Sequence, residues 1–272
     1  MLYINRMKNL RKYDFQIGGK RFESGTHVMG ILNATPDSFF SESRIGDNAV
    51  KRAGEMLKCG AEVLDIGGQS TRPNGKPVSV LEEMSRVLPV VEAIRAEYKD
   101  ALISVDTFYP EVAQAVVDAG ADMINDVSCL KNNALTKVVA DGGVSVCVMH
   151  NRRDTNISDM FLDKETGLSS AIKKLLLAGV PKNKILLDGG IGFNKSNVED
   201  WELLNHYDQL LDYFDEYPFL LGTSRKSMFG GTPETRLSAT LDSTALAVEQ
   251  GVLFVRVHDV KENKLVINKF VQ

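Results

Sequence analysis

Short apolar runs recur along the chain with longer amphipathic stretches between them. HVMGIL (27–32), EVLDI (62–66), ALISVD (101–106), ADMIND (121–126), VSVCVM (144–149), KILLD (184–188), PFLLG (218–222) and VLFVRV (252–257) read as strands. Their near-continuous apolar character suits parallel strands buried on both faces rather than the alternation of a sheet with one wet side. Segments 47–59, 79–98, 110–119, 133–141, 165–179, 198–214, 233–250 and 259–270 read as helices, several of them ending at Gly60, Gly120, Gly179 or Gly251. Eight strand–helix alternations predict an α/β fold, a closed (β/α)8 TIM barrel over 27–272. A doubly wound sheet is the alternative, but it usually has fewer repeats. Residues 1–26 are read as an extension of the same domain. Within it, DFQIGGKRFE predicts two short strands turned by Gly18–Gly19, a hairpin suited to plug the N-terminal end of the barrel. The stretch NRRDTNISDMFLDKET after the fifth strand is the least regular and reads as a mobile loop.

Composition narrows the class. The 272 residues fit one barrel, and 43% hydrophobic with 25% charged residues is ordinary globular usage with enough apolar material for a large core. The formal net charge of −4 argues against general binding to nucleic acid or an anionic membrane. Three cysteines, Cys59, Cys129 and Cys147, form no C-x-x-C, so neither a disulfide framework nor a zinc ribbon is expected and a reducing cytoplasm fits best. The N-terminal MLYINRMKNLRKYDF intersperses charges and lacks the apolar core of a signal peptide. No run approaches the roughly 18 apolar residues of a membrane span.

Barrel active sites sit at the C-terminal ends of the strands. Those ends carry Asn33, Asp65 with Ser70, Thr71 and Arg72 beyond it, Asp106, Asn125 and Asp126, His150, Asp188, then Ser224, Arg225, Lys226 and Ser227, and finally Arg256 and His258. Any one such residue is more often a loop polar or a cap; eight converging positions point to a site. Asp106, Asn125 and Asp188 are acceptors at the ends of apolar strands, where an unpaired carboxylate is costly, so they call for donors such as the amino and ring N–H groups of a heterocycle. Pairing of Asp106 and Asp188 with Lys226 or Arg256 in an ion network is the alternative, and the two are compatible. Arg72, Lys226, Arg256 and His258 gather positive charge around the same mouth, where barrels commonly bind phosphate, so an anionic, phosphorylated substrate follows. Asn33 is a neutral oxygen ligand of the kind Mg²⁺ accepts beside substrate phosphates and water. A P-loop, a dinucleotide fingerprint and H-E-x-x-H are absent. His27 and His206 read as packing or surface residues, and Cys147 as core.

The motifs GILNATPDSFF (30–40), DIGGQSTRP (65–73), SVDT (104–107), INDVS (124–128), MH (149–150), DGGIGFNK (188–195), GTSRKS (222–227) and RVHDV (256–260) follow in order over nearly the whole chain. Together they resemble the dihydropteroate synthase family of pterin-binding barrels, which join a dihydropterin diphosphate to p-aminobenzoate. The resemblance implies that Asn33 holds Mg²⁺ against the diphosphate, with Arg256, His258 and Thr71 as its anion partners. It implies that Asp106, Asn125, Asp188 and Lys226 bind the pterin, and that Phe40, Ser70, Thr71, Arg72, Pro73, Lys226 and Ser227 surround p-aminobenzoate. Asn33, Asp106, Lys226, Arg256 and His258 are then the catalytic set, in a cytoplasmic homodimer acting on small molecules in folate synthesis. A noncatalytic pterin-binding paralogue, or a pterin-dependent methyltransferase domain with a corrinoid partner, are the alternatives.

The chain departs from the family pattern in places. Phe40, Ser41 and Glu42 replace the usual first-loop sequence, Gln69 stands where Glu is customary, Gly189 where proline is, and Asn151 follows the MH pair. These changes gather around the second substrate. Drift in tolerant loops explains them, or a sulfonamide-tolerant form in which an added aromatic excludes the drug's bulk.

Overall fold

The computed structural model describes residues 11–34, 45–69, 78–151 and 167–271. Strand β1 (Phe15–Ile17) pairs antiparallel with β2 (Lys20–Phe22), Phe15 opposite Phe22 and Ile17 opposite Lys20. Gly18 and Gly19 carry φ of 54° and 82°, the two left-handed residues that a type I′ turn needs.

Eight parallel strands then close a barrel in chain order: β3 (His27–Asn33), β4 (Val63–Gly67), β5 (Leu102–Asp106), β6 (Met123–Asp126), β7 (Ser145–Met149), β8 (Ile185–Asp188), β9 (Phe219–Leu221) and β10 (Phe254–Val257), which pairs back onto β3. The helices are α1 (Ile45–Lys58), α2 (Val80–Glu97), α3 (Pro110–Asp118), α4 (Ala134–Gly142), α5 (Leu168–Leu177), α6 (Asn197–Asn205), α7 (Tyr207–Tyr213), α8 (Leu237–Gln250) and α9 (Val260–Val271). The barrel is thus the one the hydrophobic pattern predicts.

Two helix expectations need correction. The segment 198–214 is two helices, broken at His206, whose φ and ψ are −119° and 26°. The break turns Tyr207 fully into the core, where its hydroxyl accepts from the Gly189 N–H at 2.8 Å and donates to the Leu220 carbonyl at 2.7 Å. The segment 233–250 opens with a 3-10 turn, Pro233–Arg236, closed by reciprocal bonds between Thr232 and Thr235, before α8 begins. Most of the loop expected after β7 lies outside the described residues.

Strand parity divides the interior into two cores. Val28, Leu32, Leu64, Ile66, Ile103, Val105, Ile124, Val146, Val148, Ile185, Leu187, Phe219, Leu221 and Val255 pack outward against the helices. The alternate residues Met29, Val63, Leu102, Met123, Cys147, Leu186, Leu220 and Phe254 point into the barrel and meet Tyr13, Phe15, Ile17 and Phe22 of the hairpin region. Phe15 and Phe22 lie edge-on or tilted to one another and to Phe254 at centroid distances of 5.0–6.4 Å. Each buried aromatic of this kind contributes roughly 1.5–3 kcal/mol, so the hairpin seals the N-terminal end with apolar surface. Farther along, the inward positions turn polar: Asp65, Ser104, Asp106, Asn125, Asp188 and Arg256.

Tyr207 ties the end of β8 to β9. Replacing it with Phe keeps the ring but orphans the Gly189 N–H and the Leu220 carbonyl. Unfolding in urea is expected to show a loss of about 1–3 kcal/mol.

Candidate active site

The polar inward positions converge on one guanidinium. Arg256 on β10 donates through Nε to Asp65 Oδ2 at 2.6 Å and through Nη2 to Asp106 Oδ2 at 2.9 Å. Asp65 is fully buried and also accepts from Ser104 Oγ at 2.5 Å and from Asn125 Nδ2 at 3.3 Å. Register explains the meeting: Gly67, Asp106 and Asn125 stand side by side on β4, β5 and β6, with Asn33 opposite Gly67 on β3. Burial opposes the charge on Arg256, yet Asp65 and Asp106 hold its pKa above the ordinary arginine value. Burial pushes the Asp106 carboxyl up to about 7, with Arg256 opposing the rise. Asp106 Oδ1 is buried and makes no hydrogen bond, an acceptor that a ligand N–H can satisfy.

Opposite this floor stands the 188–195 loop. Asp188 ends β8, and its Oδ1 accepts from the Gly190 N–H at 2.7 Å; burial raises its pKa against the pull of Lys226. Lys226, in the loop after β9, donates to the Ile191 carbonyl and sits 4.7 Å from the centroid of the Phe193 ring. That is a cation–π contact. Burial lowers the Lys226 pKa to about 8, with Asp188 and Asp200 opposing the fall. The same loop is gathered by Lys195, which donates to the carbonyls of Gly190 at 2.9 Å and Phe193 at 3.2 Å, and by Asp200 on α6, which accepts from the Gly192 N–H at 2.6 Å.

The remaining basic side chains lie in the loops after β9 and β10. His258 Nδ1 lies 2.9 Å from Ser224 Oγ. Arg225 takes a left-handed φ of 57° and forks onto Asp259 at 3.0 and 2.6 Å, which ties the two loops together. Ser227 is exposed at the start of the 3-10 turn Ser227–Phe229, and Asn33 is exposed at the end of β3.

Asn33, Asp106, Asn125, Asp188, Lys226, Ser227, Arg256 and His258 therefore all lie at or beyond the C-terminal ends of the strands. Phe40, Ser70, Thr71, Arg72 and Pro73, with Ser41 and Glu42, lie outside the described residues. Asp126 differs from its neighbour Asn125. It has the outward parity, and its carboxylate accepts from the backbone N–H groups of Ser128 and Leu130, so it shapes a loop.

Three departures from the family pattern acquire physical reasons. Gln69 donates to Glu83 at 2.5 Å; a glutamate there would set two buried carboxylates together, and burial already raises the Glu83 pKa. Gly189 supplies the N–H that Tyr207 accepts, and a Cβ there would stand 2.7 Å from the Tyr207 ring. Asn151 bridges the Val127 carbonyl and Asn194, joining the loops after β6 and β8.

Sequence reading missed Lys195, Asp200 and the central part of Asp65. Asp65 shares the inward parity of Val63 and Gly67. Asp200 lies three and four residues before Leu203 and Leu204, on the buried stripe of its helix. Lys195 had no comparable signal.

A model of the pterin-binding enzymes matches residues 29–258. A dihydropteroate synthase of Clostridium beijerinckii is 41% identical, covering 91% of this chain and 95% of its own. That of Bacillus subtilis is also 41% identical, over 89% of this chain and 86% of its own. Among solved structures, a Clostridium difficile dihydropteroate synthase determined with pteroic acid superposes with a TM-score of 0.85 at 38% identity, covering 91% and 96% of the two chains. The Xanthomonas albilineans enzyme with 4-aminobenzoic acid gives 0.85 at 35% identity, covering 97% and 98%. By fold, motif order and this similarity, the chain belongs to the dihydropteroate synthase family of pterin-binding enzymes.

Proposed function

We propose that this chain condenses (7,8-dihydropterin-6-yl)methyl diphosphate with p-aminobenzoate, giving 7,8-dihydropteroate and diphosphate in folate synthesis, by a dissociative displacement. The observation that carries the reading is Asp106, with one oxygen on Arg256 and the other buried without a partner beside Asn125. A pterin edge, rich in N–H donors, complements that acceptor and the Asp188 carboxylate across the barrel. Lys226 lies against the ring system.

Arg256 and His258 meet the diphosphate, joined by Thr71. The Nη1 of Arg256 makes no hydrogen bond among the described residues, so the guanidinium keeps donors for an anion after serving both carboxylates. Asn33 offers one neutral oxygen at the rim, and no group of three or more His, Cys, Asp or Glu residues suited to a metal occurs among the described residues. That donor set fits Mg²⁺ held mainly by substrate oxygens and water, with Asn33 as its protein ligand. When bound, Mg²⁺ neutralises charge on the departing diphosphate.

An arylamine is a weak nucleophile, so assisting the leaving group is the larger lever. The methylene C–O bond breaks with its electron pair on diphosphate, and Arg256 and His258 stabilise that charge. Asp106 and Asp188 favour the cation left on the pterin. The amine nitrogen then forms the C–N bond and loses a proton to solvent. Arg72 and Ser227, with Phe40, Ser70, Thr71 and Pro73, complete the p-aminobenzoate pocket, which positions the amine.

The test is direct. Protein incubated with Mg²⁺, the dihydropterin diphosphate and p-aminobenzoate is expected to yield dihydropteroate, and to release diphosphate slowly when the amine is omitted. Pterin binding without product establishes a noncatalytic paralogue instead. Strict dependence of C–O cleavage on the amine refutes the dissociative order.

The Phe40, Ser41 and Glu42 substitutions support a sulfonamide-tolerant form. Sulfonamide inhibition constants well above the p-aminobenzoate KM are expected, with F40S restoring sensitivity; constants near that KM rule it out. Cys59, Cys129 and Cys147 are thiols rather than disulfide partners, which supports a cytoplasmic location. No helix among the described residues is long and apolar enough to cross a membrane. Exposed Val198 and Trp201, on an outer helix, support a homodimer through the barrel's exterior helices. Sedimentation velocity distinguishes dimer from monomer.

A further inference from the structure

Lys226 is a partly buried cation among charges of both signs. Asp188 faces it from the end of β8, Asp200 from α6, Arg256 from β10 and Lys195 from the loop between β8 and α6. Two of these groups attract and two repel. Asp188 is also the carboxylate that the pterin reading commits to the ligand, which leaves Asp200 as the acid with no substrate to serve.

The contacts of Asp200 run to Lys226 through one glycine. Asp200 is 3% exposed, and its Oδ1 accepts from the Gly192 N–H at 2.6 Å. Gly192 in turn packs on the lysine stem: a Cβ built there would stand 2.8 Å from Lys226 Cδ. The neighbouring Ile191 carbonyl takes the Lys226 ammonium, and Phe193 presents the ring beneath it. Helix α6 supplies Asp200 at its first buried position, with a capping box between Ser196 and Glu199 holding the turn.

We propose that Asp200 is a positioning residue for the reaction: it fixes Gly192 against the Lys226 stem and supplies the second negative charge that keeps Lys226 an ammonium ion over Phe193. Burial of Asp200 raises its own pKa, the electrostatic cost of holding a carboxylate there. A residue wanted only for the Gly192 hydrogen bond could be an amide, which accepts equally through its oxygen and carries no such cost. The charge is the part that needs a purpose, and Lys226 and Lys195 are the cations it acts on, Lys226 being the one that the Gly192 contact also holds. The inference rests on the pterin-site reading of Lys226.

The D200N variant separates the two roles, because it keeps the acceptor for Gly192 and removes only the charge. Lysine labelled with ¹³C at Cε reports each ammonium titration, and the Lys226 resonance is assigned as the one missing from K226R. In D200N its pKa is expected to fall by roughly one unit below that of the wild type. The alkaline limb of kcat/KM for the dihydropterin diphosphate should move down with it. D200A should add a rise in KM, since the Gly192 bond is also lost. An unmoved Lys226 resonance in a folded D200N overturns the proposal. Movement of the resonance with an unmoved activity limb leaves the electrostatic role standing and removes Lys226 from the reaction, so failure of the underlying reading is seen separately. Should D200N prove unstable, D200E, which restores the charge, should bring back the wild-type titration.

Discussion

Replacing Arg256 with methionine is expected to cost about 3–5 kcal/mol of stability, because one guanidinium neutralises two buried carboxylates. Asp65 is fully buried and Asp106 nearly so, and both give an oxygen to Arg256 at 2.6 and 2.9 Å. Methionine fills much of the space and leaves both acids without their cation. The loss should depend on pH in a stated direction. Asp106 already titrates above its unfolded value of 3.8 because of burial, and Arg256 opposes that rise. Without the guanidinium the folded-state pKa climbs further. A raised carboxyl stabilises fully below the unfolded pKa and loses that contribution as pH rises through the folded one. The R256M deficit should therefore be smallest near pH 4 and grow toward neutrality. Urea unfolding at a series of pH values measures this; a deficit independent of pH refutes the ion-network account. On the proposed reaction, diphosphate-releasing activity should fall roughly 10³-fold, since Arg256 is the group proposed to meet the leaving charge. R256K should recover only part of either loss, because an ammonium cannot reproduce the planar fork onto two acids.

The barrel was legible because eight apolar runs and their intervening amphipathic stretches carry the periodicities of strand and helix. What the apolar runs concealed was parity. In β5, Leu102, Ser104 and Asp106 point inward and grade from apolar to charged, whereas Ile103 and Val105 face the helices. Read in alternation, such strands separate a sealed bottom from a polar top, and Asp65 emerges as an interior acid. The break at His206 was not legible, because no Gly or Pro marks it and the modest helix propensities of Asn205, His206, Tyr207 and Asp208 do not by themselves end a helix. It follows from a tertiary demand, the burial of Tyr207 against Gly189 and Leu220. The acceptors and cations of the site were visible as strand-end polars. Their partners were not, since Lys195 and Asp200 reach the site through a folded loop and a helix stripe. The ion-network alternative holds for Asp106, which Arg256 pairs through Oδ2, while its buried Oδ1 stays an acceptor without a partner.

Asp106→Asn is expected to separate stability from activity. Its Oδ1 is buried without a partner, and burial pushes the carboxyl up to about 7, so the ionised form is held at a cost. An asparagine has nearly the same shape and still offers Oδ1 or its equivalent to Arg256 Nη2. It carries no charge to desolvate. Below the unfolded pKa of 3.8 the wild-type side chain is protonated in both states, and the two proteins should be about equally stable. As pH rises from about 4 to about 7 the unfolded chain releases its proton first, so wild-type stability falls in a way the variant cannot share. The difference between them should thus favour D106N increasingly, reaching about 1–2 kcal/mol by pH 8. The gain is limited because Arg256 keeps only Asp65 as a charged partner. On the proposed reaction, activity should move the other way, falling roughly 10²–10³-fold, because the pterin would lose a charged acceptor and the developing cation a nearby anion. Urea unfolding between pH 4 and 8, beside dihydropteroate formation at pH 8, measures both. A D106N protein less stable than wild type across that range would show that Asp106 is held chiefly as a partner for Arg256. A more stable and inactive one identifies an acid kept, against its own folding, for the ligand it receives.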